Sequence, residues 1–287
     1  MKRSWGLFIS TVLLFAHSAA AYNIDTCGQT VPDKEIGVLT TDLNCPAAST
    51  AVRVGNGATF DMNGHSITVP NGWAIWCQAQ TRCTVIGGGI AGALGEIHDA
   101  DTGIYLQRGT RLTAESVSIQ DCVTGIQGED WNNGRSGAGA KLTNVEITGS
   151  EGVAVLLGNV KAINVTIEGN PGSGIMAPSM GTVRGRGLTV DDNAFSAGCD
   201  VFGCSGIEAG EVKGSNLHVT GNAGLGIKAL ETTLRNSTVT DNIRAGQRRD
   251  LVSAEEPQLH NVACGVSVGW GSQASVHWGV CALDDAN

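Results

Sequence analysis

The sequence predicts an all-β fold, a single-stranded right-handed parallel β-helix with disulfide-stapled ends. Three observations carry that prediction. A short apolar pair recurs: Gly103-Ile104, Gly125-Ile126, Gly152-Val153, Gly174-Ile175, Gly206-Ile207 and Gly226-Ile227 open six units, and Asp250-Leu251 opens a seventh, at intervals of 20 to 32 residues. A repeat of this length with insertions in only some units is the signature of stacked coils. Within each unit apolar and variable residues alternate, the period of a half-buried strand. Glycine makes up 41 of 287 residues while aromatics are 5% and charged residues 16%, the composition of short strands and tight turns.

Each unit reads in the same order. The first strand follows the Gly, with Ile104, Leu106; Ile126, Gly128; Val153, Val155; Ile175, Ala177; Ile207, Ala209; and Ile227, Ala229 on one parity. A second alternating segment follows, as in Leu142 to Ile147, Ile163 to Ile167 and Gly187 to Val190. A polar corner closes the unit: Gly169-Asn170, Asp192-Asn193, Gly221-Asn222 or Asp241-Asn242, residue types that tolerate left-handed backbone. Strands repeating in one order stack in parallel about 4.8 Å apart, and parallel crossovers wind right-handed. No segment has helical periodicity.

The ends and the bulk properties bound the biology. Lys2-Arg3, the apolar run Leu7 to Phe15 and Ala19-Ala20-Ala21 read as a signal peptide over residues 1–21, leaving 22–287 as one β-helix domain. The run is too short to span a bilayer. The net charge is −9, which argues against nucleic acid or an anionic membrane as partner. Nine cysteines fit an oxidising, extracellular or periplasmic location. Proximity pairs Cys27 with Cys45, Cys77 with Cys83, Cys199 with Cys204 and Cys264 with Cys281. Cys122 is left at a corner position that is Asn in sister units, which predicts a small buried thiol.

The segment Ala58-Thr-Phe-Asp-Met-Asn-Gly-His65-Ser-Ile-Thr-Val69 resembles the opening rung of secreted right-handed parallel β-helix proteins of the pectate-lyase-like superfamily. Cys27 to Cys45 resembles their N-terminal cap, and Asp250 to Cys281 is similar to the closing segment of bacterial members. The resemblance implies a β-helix with carbohydrate as its substrate class. It does not extend to a catalytic signature: the polygalacturonase-like order of an Asp pair followed by later rungs has Glu208 where that family has histidine. The tryptophan-aspartate-histidine and aspartate-proline-histidine-aspartate signatures of pectate lyases and mannuronan epimerases are absent.

Candidate chemistry then falls in three places. Glu208 and Lys228 occupy equivalent positions on successive units. They read either as a base with support for a polysaccharide lyase or epimerase-like reaction on a uronate, or as a cross-strand ion pair. Asp191, Asp192 and Asp200 form an acidic group of the kind that holds Ca²⁺, with a turn role at Asp192-Asn193 as the alternative. Lys141, Lys161, Arg184 and Lys213 stand at one place in four consecutive units, a cation row suited to an acidic polysaccharide, with a solvated face as its alternative. The insertions Gly87–Thr102 and Asn193–Ser205 would wall the first-strand face. There the middle of the row Tyr105, Gln127, Ala154, Met176, Glu208, Lys228 is apolar. The Glu129–Gly139 loop, carrying Glu129 and Trp131, is expected either to fold over it or to leave it as a sugar-stacking platform. Two function classes stand: a carbohydrate-active enzyme, and a non-catalytic polysaccharide-binding or surface-adhesion solenoid.

Overall fold

A computed structural model describes residues 21–78, 81–88, 93–129, 137–177, 180–193, 204–244, 247–270 and 277–282. Among these, 26 strands join one continuous parallel sheet that winds around a narrow core. Its registers separate into three faces. Face 1 carries Trp73–Cys77, Thr102–Leu106, Thr124–Gly128 and their successors, and face 2 carries Arg82–Ile86, Arg111–Glu115 and Gly139–Thr143. Face 3 carries Gly95–His98, Val117–Gln120 and Glu146–Thr148. A small antiparallel ribbon, Ile243–Arg244 with Gln247–Arg248, stands apart.

The inward residues form aliphatic stacks. On face 1 Val52, Ile75, Ile104, Ile126, Val155, Ile175, Ile207, Ile227 and Leu251 lie one over another, all buried. On face 3 the stack is Ile67, Ile97, Ile119, Ile147, Ile167, Val190, Val219 and Val239. Burying each such side chain contributes roughly 1.5–3 kcal/mol, so the long shared core offsets the entropy of ordering many short strands.

The Gly of the recurring pair has a steric cause. A Cβ on Gly125 would stand 2.5 Å from the Ala154 carbonyl oxygen, and one on Gly174 would stand 2.6 Å from that of Gly206. On Gly226 it would also stand 2.6 Å from the Asn242 side-chain nitrogen. The Gly thus makes room for the next coil's backbone and for the corner asparagine.

Those asparagines form a fully buried ladder. Asn170 donates through Nδ2 to Asn193 Oδ1 at 2.7 Å, Asn193 to Asn222 at 3.1 Å, Asn222 to Asn242 at 2.8 Å, and Asn242 to Asp250 Oδ1 at 3.0 Å. The backbone N–H of each asparagine donates to the same oxygen as its amide. Left-handed backbone sits one residue earlier, at Gly169, Asp192, Gly221 and Asp241. The turn between faces 2 and 3 has its own left-handed residues, Asn144, Asn164, Asn216, Asn236 and Asn261, and there Asn164 donates to Asn144 and Asn261 to Asn236.

Two expectations shift. In the third unit Val155, not Val153, lies over Ile126, so Leu156 replaces Ala154 in the outward row. The corner sets this phase. Ser150 takes the ladder position, its N–H donating to Asn170 Oδ1 at 2.8 Å, and five residues then lead to the strand as they do from Asn170 to Ile175. The segment 87–102 is also not mainly an insertion, because Gly95–His98 is a regular face 3 strand with Ile97 inward. The N-terminal segment, stapled by Cys27–Cys45, already winds as coil: Tyr22–Ile24 pairs with Ile36–Leu39, and three coils precede the one opened by Gly103.

The disulfides Cys27–Cys45, Cys77–Cys83 and Cys264–Cys281 are present. Cys204 is disulfide-bonded as well, while Cys199 lies outside the described residues. Cys122 is free and buried, donates to the Gln120 carbonyl, and has its thiol pushed up to about 11 by desolvation.

Asn193→Ala removes the acceptor of two buried N–H groups and is expected to cost about 3 kcal/mol in denaturant unfolding. Asp250→Asn is nearly isosteric, yet Asp250 accepts through both oxygens, from Asn242 and from the Val266 N–H. An amide cannot serve both, and a loss of about 2 kcal/mol is expected. Thiol labelling at mildly alkaline pH, mapped by peptide, should reach Cys122 only after unfolding, because the raised pKa keeps it protonated and burial keeps it covered.

Candidate functional site

The strongest candidate is built on face 2. Two outward positions, two residues apart, recur on every coil. The first reads Arg82, Arg111, Gly139, Asn159, Thr182, Glu211 and Glu231, and the second reads Thr84, Thr113, Lys141, Lys161, Arg184, Lys213 and Thr233. The predicted cation row is therefore in register, one strand spacing of about 4.8 Å per step. It is extended by Arg82 and Arg111, which the sequence reading missed. Their signal was available: Ser116 and Asn144 are equivalent left-handed corners, and counting back from them places Arg111 two residues earlier in phase than Lys141.

These side chains line a groove of about 800 Å³, with Arg82, Arg111, Lys141, Lys161 and Arg184 as its charges and Thr84, Thr113, Asn159 and Thr182 as neutral floor. No ion pair engages Arg82, Arg111, Lys141 or Lys161 among the described residues. The row is closed at one end. Glu211 pairs closely with Lys213 and stands 4.0 Å from Arg184. Arg186 and Arg235 lie in the next outward column, two coils apart. Stacked like charges repel, so the uncompensated stretch favours an anion laid along the axis.

Face 1 presents different chemistry. Its outward column runs Arg53, Trp76, Tyr105, Gln127, Leu156, Met176, Glu208 and Lys228. At its N-terminal half Trp73 stacks on Tyr105 with ring centroids 4.3 Å apart. Trp76 meets Trp73 edge-on at 5.6 Å, and Arg53 lies 5.2 Å over Trp76. This half-buried aromatic cluster lies partly upstream of the first Gly-Ile pair and so fell outside the repeat as read from sequence. At the other end Lys228 donates to Glu208 at 2.7 Å and lies 5.0 Å from the Trp270 ring, so its head group is held from two sides. Both are contacts of an ammonium. The geometry of the pair is that of the cross-strand ion pair.

The remaining predicted residues are dispersed. Asp191 Oδ1 accepts from the Thr220 hydroxyl and from the Asp192 N–H at 3.1 Å, and Asp192 is the left-handed corner residue. Asp200 and Trp131 lie outside the described residues. Among the described residues no three His, Cys, Asp or Glu side chains gather in a metal-binding group. Glu129 is exposed and accepts the Arg108 N–H at 3.1 Å.

A family model described as the right handed beta helix region matches residues 73–247, more than half of the chain. The chain belongs to the right-handed β-helix family. The match begins at Trp73 and so takes in the aromatic cluster of this β-helix, its cation groove and its asparagine ladder. No curated protein and no solved structure matches the chain. No helix among the described residues of the β-helix is long and apolar enough to cross a membrane.

Lys228→Met leaves Glu208 half-buried without its partner. Because both side chains keep some exposure, 19% and 26%, the expected loss is only about 1 kcal/mol. Thermal unfolding of this variant and of Lys228→Ala would read it.

Proposed function

We propose that this β-helix is an exported protein that binds an acidic polysaccharide lengthwise along face 2. The observation that carries the reading is the strip of cations on one open groove, Arg82 and Arg111 in one outward column and Lys141, Lys161 and Arg184 in the next, four of the five without an ion pair. A linear polymer suits a solenoid because both repeat along one axis. Guanidinium groups take carboxylates or sulfates bidentately, and the lysines act as point charges.

The overall charge of −9 opposes a polyanion at long range. At physiological salt, charges more than about 8 Å apart are largely screened, so the local row decides the contact. The three disulfides are consistent with export to an oxidising compartment. The lyase or epimerase-like alternative needs Lys228 as a neutral base. An amine that donates to Glu208 beneath an indole is better suited to an ion pair.

Calorimetric titration with polyuronates, sulfated glycans and neutral glucans tests the reading, with absorbance at the unsaturated-uronate band followed in parallel. Binding to polyanions alone is expected, weakened by salt. The Lys161→Thr, Arg184→Thr double variant is expected to bind about tenfold more weakly, at up to roughly 1 kcal/mol for each exposed contact. Turnover lost on Lys228→Ala would replace this reading with the lyase one, and failure of every polyanion to bind would remove it.

A further inference from the structure

We propose that face 2 takes a second copy of this chain, whose acidic strip along face 3 lies lengthwise against the cations. Such pairing stands whether or not a polysaccharide binds. The five coils that carry Arg82, Arg111, Lys141, Lys161 and Arg184 each carry an exposed carboxylate on face 3 or at the corner that ends it. In the same coil order these are Asp99, Asp121, Glu146, Glu168 and Asp192. Among the described residues none of these five acids is in an ion pair.

The two strips begin and end on the same coils. The coil before Arg82 presents Gly57 and Thr59 on face 2, and Ser66 and Thr68 on face 3. The coil after Arg184 carries Lys213, which Glu211 engages, and it has His218, Thr220 and the corner Gly221 where acids would stand. Each strip repels itself, as where Glu168 lies over Asp191, and an opposite strip relieves both.

A neighbouring copy has the same pitch by construction. Two copies side by side, with axes parallel and level, set five cations against five acids over four steps of about 4.8 Å, roughly 19 Å in all. Neither strip is a single column. The cations shift by one outward position between Arg111 and Lys141, and the acids run from the first outward position of face 3, at Glu146, to the corner at Asp99, Asp121 and Asp192. The long basic side chains take up those offsets. Because the contact joins two different faces, each pair keeps an unused strip at either side, and association proceeds past a dimer. The same cations serve a polyanion in the reading above, so the two partners compete.

Sedimentation velocity of the full chain over a concentration series tests this. At low salt, species larger than a monomer should grow with concentration. At about 1 M salt, where the screening length falls to about 3 Å, they should vanish. The double variant Lys141→Glu, Lys161→Glu and the double variant Glu146→Lys, Glu168→Lys should each be monomeric at low salt, with thermal midpoints near wild type. Mixed in equal amounts they should associate again, because the reversed strip of each meets an opposite strip of the other. A monomer at every concentration at low salt, association unchanged in either variant, or no recovery in the mixture overturns the proposal. A saturating polyuronate that binds yet leaves the wild-type species intact overturns it too. The Glu146→Lys, Glu168→Lys variant keeps its cation strip, so its failure to bind any polyanion would remove the polysaccharide reading alone and leave the contact between copies standing.

Discussion

The buried amide ladder is the constraint on which the other rows depend. Each asparagine side chain satisfies its own coil and the next, so a coil that slipped by one residue would strand a buried donor as well as invert its apolar face. The ladder sits where face 3 turns into face 1, the corner that varies most in length. From Asn170 the chain needs five residues to reach Ile175, whereas from Asn242 it takes nine to reach Leu251. The corner residue absorbs this variation, and the strands beyond it start in phase.

Once register is fixed, a parallel solenoid turns a sequence period into a spatial one. Substituting one position in several units produces a column, with no distant segment to be brought in. That explains how an acidic chain carries a cationic groove: its carboxylates are spread over faces and corners, whereas Arg82, Arg111, Lys141, Lys161 and Arg184 share one strip. It also explains why the two ends of face 1 differ. The aromatic cluster around Trp73 and the pair Glu208–Lys228 occupy one sheet surface, separated by the apolar Leu156 and Met176.

Much of this was legible in the sequence because the physics is local and periodic. The Gly-Ile pairs mark places where a Cβ would strike the next coil, and the alternation marks inward stacks, so the fold and the row Lys141, Lys161, Arg184, Lys213 could be read directly. The third unit was misphased because Gly152-Val153 imitates the pair while Ser150 holds the ladder position. Arg82 and Arg111 were missed because the charge changes column there, which a fixed offset from the Gly does not follow. Trp73 and Trp76 lie in a coil whose opening residues lack the pair altogether, and only pairing with Thr102–Leu106 reveals their place.

The ladder is also directional. From side chain to side chain, every ladder asparagine donates toward the C-terminal end and accepts from the N-terminal side, and Asp250, which only accepts, closes the series. A duplicated coil inserted anywhere between Ser150 and Asp250 would find a matching donor below and acceptor above, whereas one appended past Asp250 would not. The architecture thus admits growth from within and forbids it at that terminus, which makes the interior the place where descendants of this gene can gain or lose reach.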